Sequence, residues 1–175
     1  MSSYTRHGGP PASPATPELS LRAATSDDVD AIAEVWHRGW LDGHLGHVPE
    51  AIREHRRPED FRRRIPPRLP QTTVATLASR VVGFVTVHAD ELEQIYVAES
   101  ARGGGVANAL LRRAEEVIAA RFDVAWLAVV ADNGRARRFY ERNGWRDAGG
   151  FDYAAEITGG TLPVPCRRYE KHVGR

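Results

Sequence analysis

The sequence predicts an α/β fold: a mixed, mostly antiparallel sheet flanked by helices, with one parallel strand pair at its centre. Three stretches carry that reading. Residues 91–97 form a β-branched and aromatic run at Ile95, Tyr96 and Val97, and a glycine turn at 103–105 leads from it into an apolar helical pattern. Residues 72–88 hold two strand-like runs separated by a tight turn, the mark of an antiparallel meander. Residues 124–130 are an almost continuous apolar run. Such a run suits a strand buried on both faces, reached through a helical crossover and therefore parallel to its neighbour.

Taken in order, residues 1–19 are rich in Pro, Ser, Thr, Gly and Ala, with Pro10, Pro11, Pro14 and Pro17 close together. They cannot bury enough apolar surface to order themselves, so a disordered arm is expected there, followed by one domain over 20–175. Residues 19–24 read as a first strand. Ser26 looks like an N-cap, with Asp27 and Asp28 in the first turn of a helix that carries Val29, Ile32, Ala33, Trp36 and Trp40 on one face. Gly43, Gly46 and Pro49 break the chain, and a second helix starts near Glu50. Arginines crowd residues 53–68 (Arg56, Arg57, Arg62, Arg63 and Arg64 among them). A solvated helix face is the plain reading, and attraction of an acidic substrate is the other. Pro66, Pro67 and Pro70 end the helical region.

Strands at 72–78 and 80–88 follow, turning at Ser79–Arg80, and a turn at Ala89–Asp90 delivers the strand at 91–97. The helix after the glycines has Val106, Ala107, Leu110, Leu111, Ala114, Val117 and Ile118 at helical spacing. After the strand at 124–130, Asn133 caps a helix holding Ala136, Phe139 and Tyr140, and Gly144 is its natural stop. Strands at 145–153 and 164–171 close the chain, joined through Gly159, Gly160 and Pro163.

Composition narrows the function classes. With 175 residues, 42% hydrophobic and 27% charged, the chain is an ordinary globule of one domain. A net charge of +1 gives no general push towards nucleic acid or membrane. The arginine-rich segment has only Phe61 as a stacking partner, too little aromatic interleaving for a nucleic-acid groove. No apolar run reaches the length of a membrane span, and the N-terminus has no apolar signal core. The single Cys166 excludes an internal disulfide and reads as a packing thiol, so the cytoplasm is the expected location. His37, His44, His47 and His55 lack the spacing and company of a metal site and read as solvated or pocket-lining.

The chemistry concentrates at residues 102–107. A helix start carries free N–H groups and about half a positive charge. Gly103, Gly104 and Gly105 let a ligand approach bare backbone, and Arg102 adds a cation: a pyrophosphate cradle. No Gly-Lys-Ser/Thr follows, which excludes a P-loop. Asn108 stands where a dinucleotide fingerprint needs its third glycine.

Arg102-x-x-Gly105-x-Ala107 resembles the coenzyme A signature of the GNAT family of acyl-CoA N-acyltransferases. The resemblance continues upstream in Glu91-Leu92-x-x-Ile95-Tyr96-Val97. Downstream it continues in Asn133-x-x-Ala136-x-x-Phe139-Tyr140-x-x-Asn143-Gly144-Trp145, so that it covers roughly residues 20 to 172. It implies the GNAT fold, in which the two parallel central strands splay and admit the pantetheine arm, paired with backbone at Ile95 and Val97. Acetyl-CoA would be held by Ile95, Tyr96, Val97, Arg102, Gly103, Gly104, Gly105, Val106 and Ala107, with Asn133 at the pantetheine and the Tyr140 hydroxyl beside the sulfur as general acid. The other reading of Tyr140 is a core aromatic with its hydroxyl satisfied locally. Trp36 and Trp40 are core by pattern and acceptor-pocket residues by resemblance.

Acetyl transfer needs a neutral amine. For a lysine-like amine, deprotonation at pH 7 costs about 4.6 kcal/mol; for an α-amino group it costs about 1 kcal/mol. A carboxylate can relay that proton, and Glu91 holds the position at which some members of the resembling family place a glutamate base. Glu93, two residues along the same strand face, is the other candidate. Backbone N–H groups near Val97 could polarise the thioester carbonyl. The expected activity is acetyl transfer from acetyl-CoA to a primary amine of a small molecule, directly in a ternary complex, with no metal. Alternatives are acetylation of a protein N-terminus or lysine, a catalytically silent acyl-CoA-binding module, and an arginine-rich interaction protein. A homodimer is compatible with each of these.

Overall fold

The computed structural model describes residues 17–174. The expected arm lies outside the described residues as far as residue 16, and its last residue already begins β1 (Leu19–Ala23). Thr25, not Ser26, then caps the chain's turn into helix. The Asp28 carboxylate reaches back to Thr25, accepting from its N at 2.8 Å and its Oγ1 at 3.1 Å, and the Arg22 guanidinium forks onto the same carboxylate at 2.7 and 2.8 Å. A charged acceptor held by four donors from two residues fixes the cap at Thr25 rather than at Ser26. The Arg22 pair holds the Asp28 carboxyl down at about 2.

A 3-10 turn at Ser26–Asp28 runs into α1 (Val29–His44), which buries Ile32, Ala33, Val35, Trp36 and Trp40. The arginine segment forms two short helices, α2 (Glu50–Arg53) and α3 (Pro58–Arg64), broken where Pro58 forces Arg57 into extended backbone. The prolines expected to end the helical region instead sit in a 3-10 turn, Pro66–Gln71.

β2 (Thr72–Leu77) and β3 (Arg80–His88) form the hairpin, but the turn is Ala78–Ser79, one residue earlier than expected. Both residues have positive φ (46° and 65°), the twist that suits a two-residue hairpin. β4 (Glu91–Val97) follows, then a 3-10 turn at Glu99–Ala101, α4 (Val106–Ala119), β5 (Val124–Val130) and α5 (Gly134–Arg142). Val117 lies on the outer side of α4 and is exposed, unlike Leu110, Leu111, Ala114 and Ile118. The last strands are longer than the pattern suggested. β6 (Arg146–Ile157) and β7 (Gly160–His172) run to a turn in which Gly159 takes φ 85°.

The seven strands order as β1-β2-β3-β4-β5-β7-β6, antiparallel throughout except for the central pair β4 and β5. One face packs on α4 and α5 through Leu92, Leu110, Leu111, Ile118, Leu127 and Trp145. The other packs on α1 and α3 through Trp36, Phe61, Val74, Phe84 and Val130. A β-bulge decides which face of β4 meets which layer. Thr86 pairs with Gln94 while Val87 pairs with Leu92, so Glu93 is the extra residue. Leu92, Ile95 and Val97 consequently join the α4 layer, and Tyr96 joins the α1 layer.

β4 and β5 touch only at one end. Glu91 stands opposite Trp126, whose N donates to the Asp90 carbonyl at 3.0 Å; from there to Val97 and Val130 the two strands are unpaired.

Candidate active site

The parting of β4 and β5 opens a cavity of about 560 Å³, within the range of small-ligand sites. β4 lines it from Glu91 to Val97, β5 from Leu127 to Val130, α1 through Trp36, Trp40 and His44, and α5 through Ala136, Phe139 and Tyr140. Of the residues singled out by sequence, Trp36, Trp40, Glu91, Glu93, Ile95, Tyr96, Val97, Arg102, Ala107, Asn133 and Tyr140 border this one cavity. Gly103, Gly104, Gly105 and Val106 do not. Val106 is buried in the core, and the glycines form the turn at the mouth.

The turn needs glycine for its backbone. Gly103 and Gly105 take φ 79° and 80°, and a Cβ at either would meet nothing within 4 Å. Gly105 is the N-cap of α4 and no side chain caps it, so the first N–H groups of the helix have no protein acceptor of that kind. Arg102 is not a free cation. Its Nη2 lies 2.8 Å from Asp42 Oδ2, and Arg135 Nη2 reaches the same oxygen at 2.6 Å. Arg135, chiefly, holds the Asp42 carboxyl below its usual range. The sequence offered no signal for Asp42, because nothing in its pattern says that the end of α1 will meet the glycine turn.

Asn133 does cap α5, accepting from Ala136 N at 3.0 Å, and its Nδ2 donates to the Gly43 carbonyl at 3.1 Å. Its amide thus ties α5 to α1 at the cavity edge. Tyr140 is 7% exposed, with its ring against Phe139, Trp145 and Tyr169. Its hydroxyl takes part in no hydrogen bond among the described residues, and burial pushes its pKa well above the ordinary phenol value, which keeps it protonated. Trp36 and Trp40 are both core residues and cavity walls, at 1% and 5% exposure.

The two carboxylates of β4 differ in their company. Arg68 clamps Glu93, Nε to Oε1 at 2.9 Å and Nη2 to Oε1 at 2.8 Å. Glu91 accepts a hydrogen bond from Tyr153 Oη at 3.0 Å and has no cation within ion-pair distance among the described residues. Burial raises its pKa, with the Tyr153 bond opposing. A carboxylate so placed is a better proton acceptor than one neutralised by arginine. Tyr153, in the long β6, is a site residue that sequence reasoning missed.

The arginine segment is not a solvated face throughout. Arg57, Arg62 and Arg63 are exposed, whereas Arg56 is 7% exposed and Arg64 and Arg68 turn towards the cavity. The break between α2 and α3 turns them inward. There Arg64 stacks over Trp36, Cζ 4.7 Å from the ring centroid, and meets Glu156, which Arg68 also reaches. His44 stacks on Trp40 with rings 5.4 Å apart, and its Nδ1 lies 3.2 Å from the Trp40 carbonyl. Since a carbonyl only accepts, Nδ1 carries the proton. Burial lowers the ring's pKa to about 4. Cys166 also borders the cavity, its thiol pushed up to about 11 by burial, which suits packing rather than attack.

In fold the chain is similar to a GCN5-related N-acetyltransferase from Rhodopseudomonas palustris (TM-score 0.70, 21% identity, covering 90% of this chain and 96% of that one). It is similar also to the PaiA N-acetyltransferase of Thermoplasma acidophilum, solved in complex with coenzyme A (0.63, 20%, 89% and 99%). A third likeness is to YncA of Salmonella typhimurium, solved with acetyl-CoA (0.67, 14%, 90% and 95%). Identities this low speak to the fold alone. No curated protein sequence matches the chain. The sequence model of the Acetyltransferase (GNAT) family, however, matches residues 31–145, from α1 through the glycine turn to Trp145. The chain belongs to the GNAT acetyltransferase family.

Proposed function

We propose that the protein transfers an acetyl group from acetyl-CoA to the primary amine of a small molecule, directly within a ternary complex. The observation that carries this reading is the unpaired stretch of β4 and β5, which opens beneath an uncapped helix start and is bordered by Glu91 and Tyr140. The residues fit the coenzyme. Ile95 and Val97 have backbone groups facing an unpaired strand edge, the turn at 103–105 bares N–H groups for a pyrophosphate, and Arg102 and Arg135, sharing the single Asp42 carboxylate, leave a net positive charge there. Acetyl-CoA would supply the activated thioester.

Glu91 takes a proton from the acceptor's ammonium, directly or through water, and leaves a nitrogen lone pair free to attack. The new N–C bond forms at the acetyl carbonyl carbon as the C–S bond breaks, and its electron pair goes to sulfur. Tyr140, kept protonated by burial, gives its proton to that thiolate, and the second N–H proton, which the nitrogen sheds as it becomes an amide, restores the phenol through solvent. Glu93 is held by Arg68 and serves the site's shape and charge balance. A cytoplasmic setting suits a free thiol and this co-substrate.

Thiol release from acetyl-CoA across a panel of amines tests the reading. Tyr140→Phe should lower kcat about 100-fold while changing acetyl-CoA affinity less than threefold. Glu91→Gln should lower kcat most near neutral pH and less as rising pH deprotonates the amine unaided. Unchanged turnover in either variant removes that residue from the mechanism. Turnover of peptide amines alone would move the reading to protein acetylation, and binding without turnover to a silent module.

A further inference from the structure

The charges around the acceptor end of the cavity do not all cancel. Arg68 is balanced by Glu93 and Glu156 at 2.8 and 2.6 Å, and Arg64 by Glu156 at 3.3 Å. Two groups are left over. Arg56, 7% exposed, donates through Nη1 to the His55 carbonyl at 2.9 Å, its buried Nε has no partner, and no carboxylate lies within ion-pair distance of it among the described residues. Glu91 has a hydroxyl partner but no cation. Both border the same cavity, Arg56 beside Trp40 with its Cζ 5.8 Å from the ring centroid.

A buried guanidinium with an orphan N–H is costly, and native proteins keep few such groups without a use. Within the fold the group makes one bond to a backbone carbonyl and one cation–π contact with Trp40, and no ion pair. We propose that Arg56 receives the carboxylate of the acceptor, and that the acceptor is therefore a free amino acid: its ammonium goes to Glu91 and its carboxylate to Arg56. The guanidinium offers Nη1 and Nη2 as paired donors in the plane that a carboxylate matches, and Trp40 supplies an apolar wall beside it. Burial lowers the Arg56 pKa only to about 10, so the group stays charged at neutral pH. The proposal rests on the acetyl-transfer reading above and narrows it to one class of amine.

The test compares each common amino acid with its own carboxamide, in thiol release from acetyl-CoA by the full chain. At least one amino acid should exceed its carboxamide tenfold or more in kcat/KM. That preference should vanish in Arg56→Met, through loss of the carboxylate form's KM advantage, while calorimetric affinity for acetyl-CoA stays within threefold of wild type. Arg56→Lys, which keeps the charge and loses the fork, should retain part of the preference and serves as the variant of record if Arg56→Met fails to fold. Carboxamides reacting as well as acids would overturn the proposal, as would a preference that survives Arg56→Met or a loss of acetyl-CoA affinity in that variant. Turnover with larger or peptide amines but with no amino acid also overturns it while leaving acetyl transfer intact. Failure to bind acetyl-CoA at all would instead sink the reading beneath it.

Discussion

His44 shows at the scale of one residue how burial sets chemistry. Stacked on Trp40 and bonded to its carbonyl, the ring stays neutral, with a folded pKa of about 4 against 6.5 in the unfolded chain. A group whose charged form is disfavoured on folding contributes stability above its unfolded pKa. That stability is lost as pH falls from 6.5 towards 4, because only the unfolded chain takes up the proton in that window. The loss is about 2–3 kcal/mol at the lower end. Glu91, its pKa raised, works in the opposite direction, so the comparison should be made between variants. Relative to wild type, His44→Phe should show a drop in Tm between pH 7 and 4.5 that is smaller by about 5 °C. An equal drop would mean that the ring is not held neutral. The same logic separates Glu91 from Glu93: two carboxylates on one strand, distinguished by whether a hydroxyl or a guanidinium faces them.

Among the elements, β4 and the start of α4 do most to shape the site. The bulge at Glu93 turns Tyr96 towards α1, where Gly39 makes room for it: a Cβ there would sit 2.5 Å from Tyr96 Cδ1. The glycine turn presents the first N–H groups of α4 at the cavity mouth, and Gly105 needs its left-handed φ of 80° to do so. Gly105→Asp places a negative charge where a pyrophosphate would bind, on a left-handed backbone that Asp and Asn tolerate alike. Its acetyl-CoA affinity should fall at least tenfold, and Gly105→Asn, neutral and tolerant of this backbone, should lose much less. Equal affinities in all three proteins would contradict the cradle. The arrangement of Arg102, Asp42 and Arg135 adds that a phosphate would compete with a carboxylate already seated between two arginines.

Across the whole molecule, the α/β class, the meander and the parallel central pair were legible because each rests on local pattern: β-branched runs at 91–97 and 124–130, glycines at 103–105, and an Asn133 cap that holds as expected. What sequence could not show depends on where distant segments meet. Asp42 between Arg102 and Arg135, Tyr153 on Glu91 and the Arg68 clamp on Glu93 each join residues far apart in the chain, with no periodicity to announce them. The arginine run misled for a related reason, since helical spacing alone cannot reveal that Pro58 breaks the segment and turns Arg56 inward. Site and fold depend together on β4 and β5 parting after a single paired position. Isothermal calorimetry of acetyl-CoA with the folded protein tests that claim most directly. Saturable heat at about one site per chain is the expected result; a sample with native circular dichroism and no heat of binding would overturn the assignment.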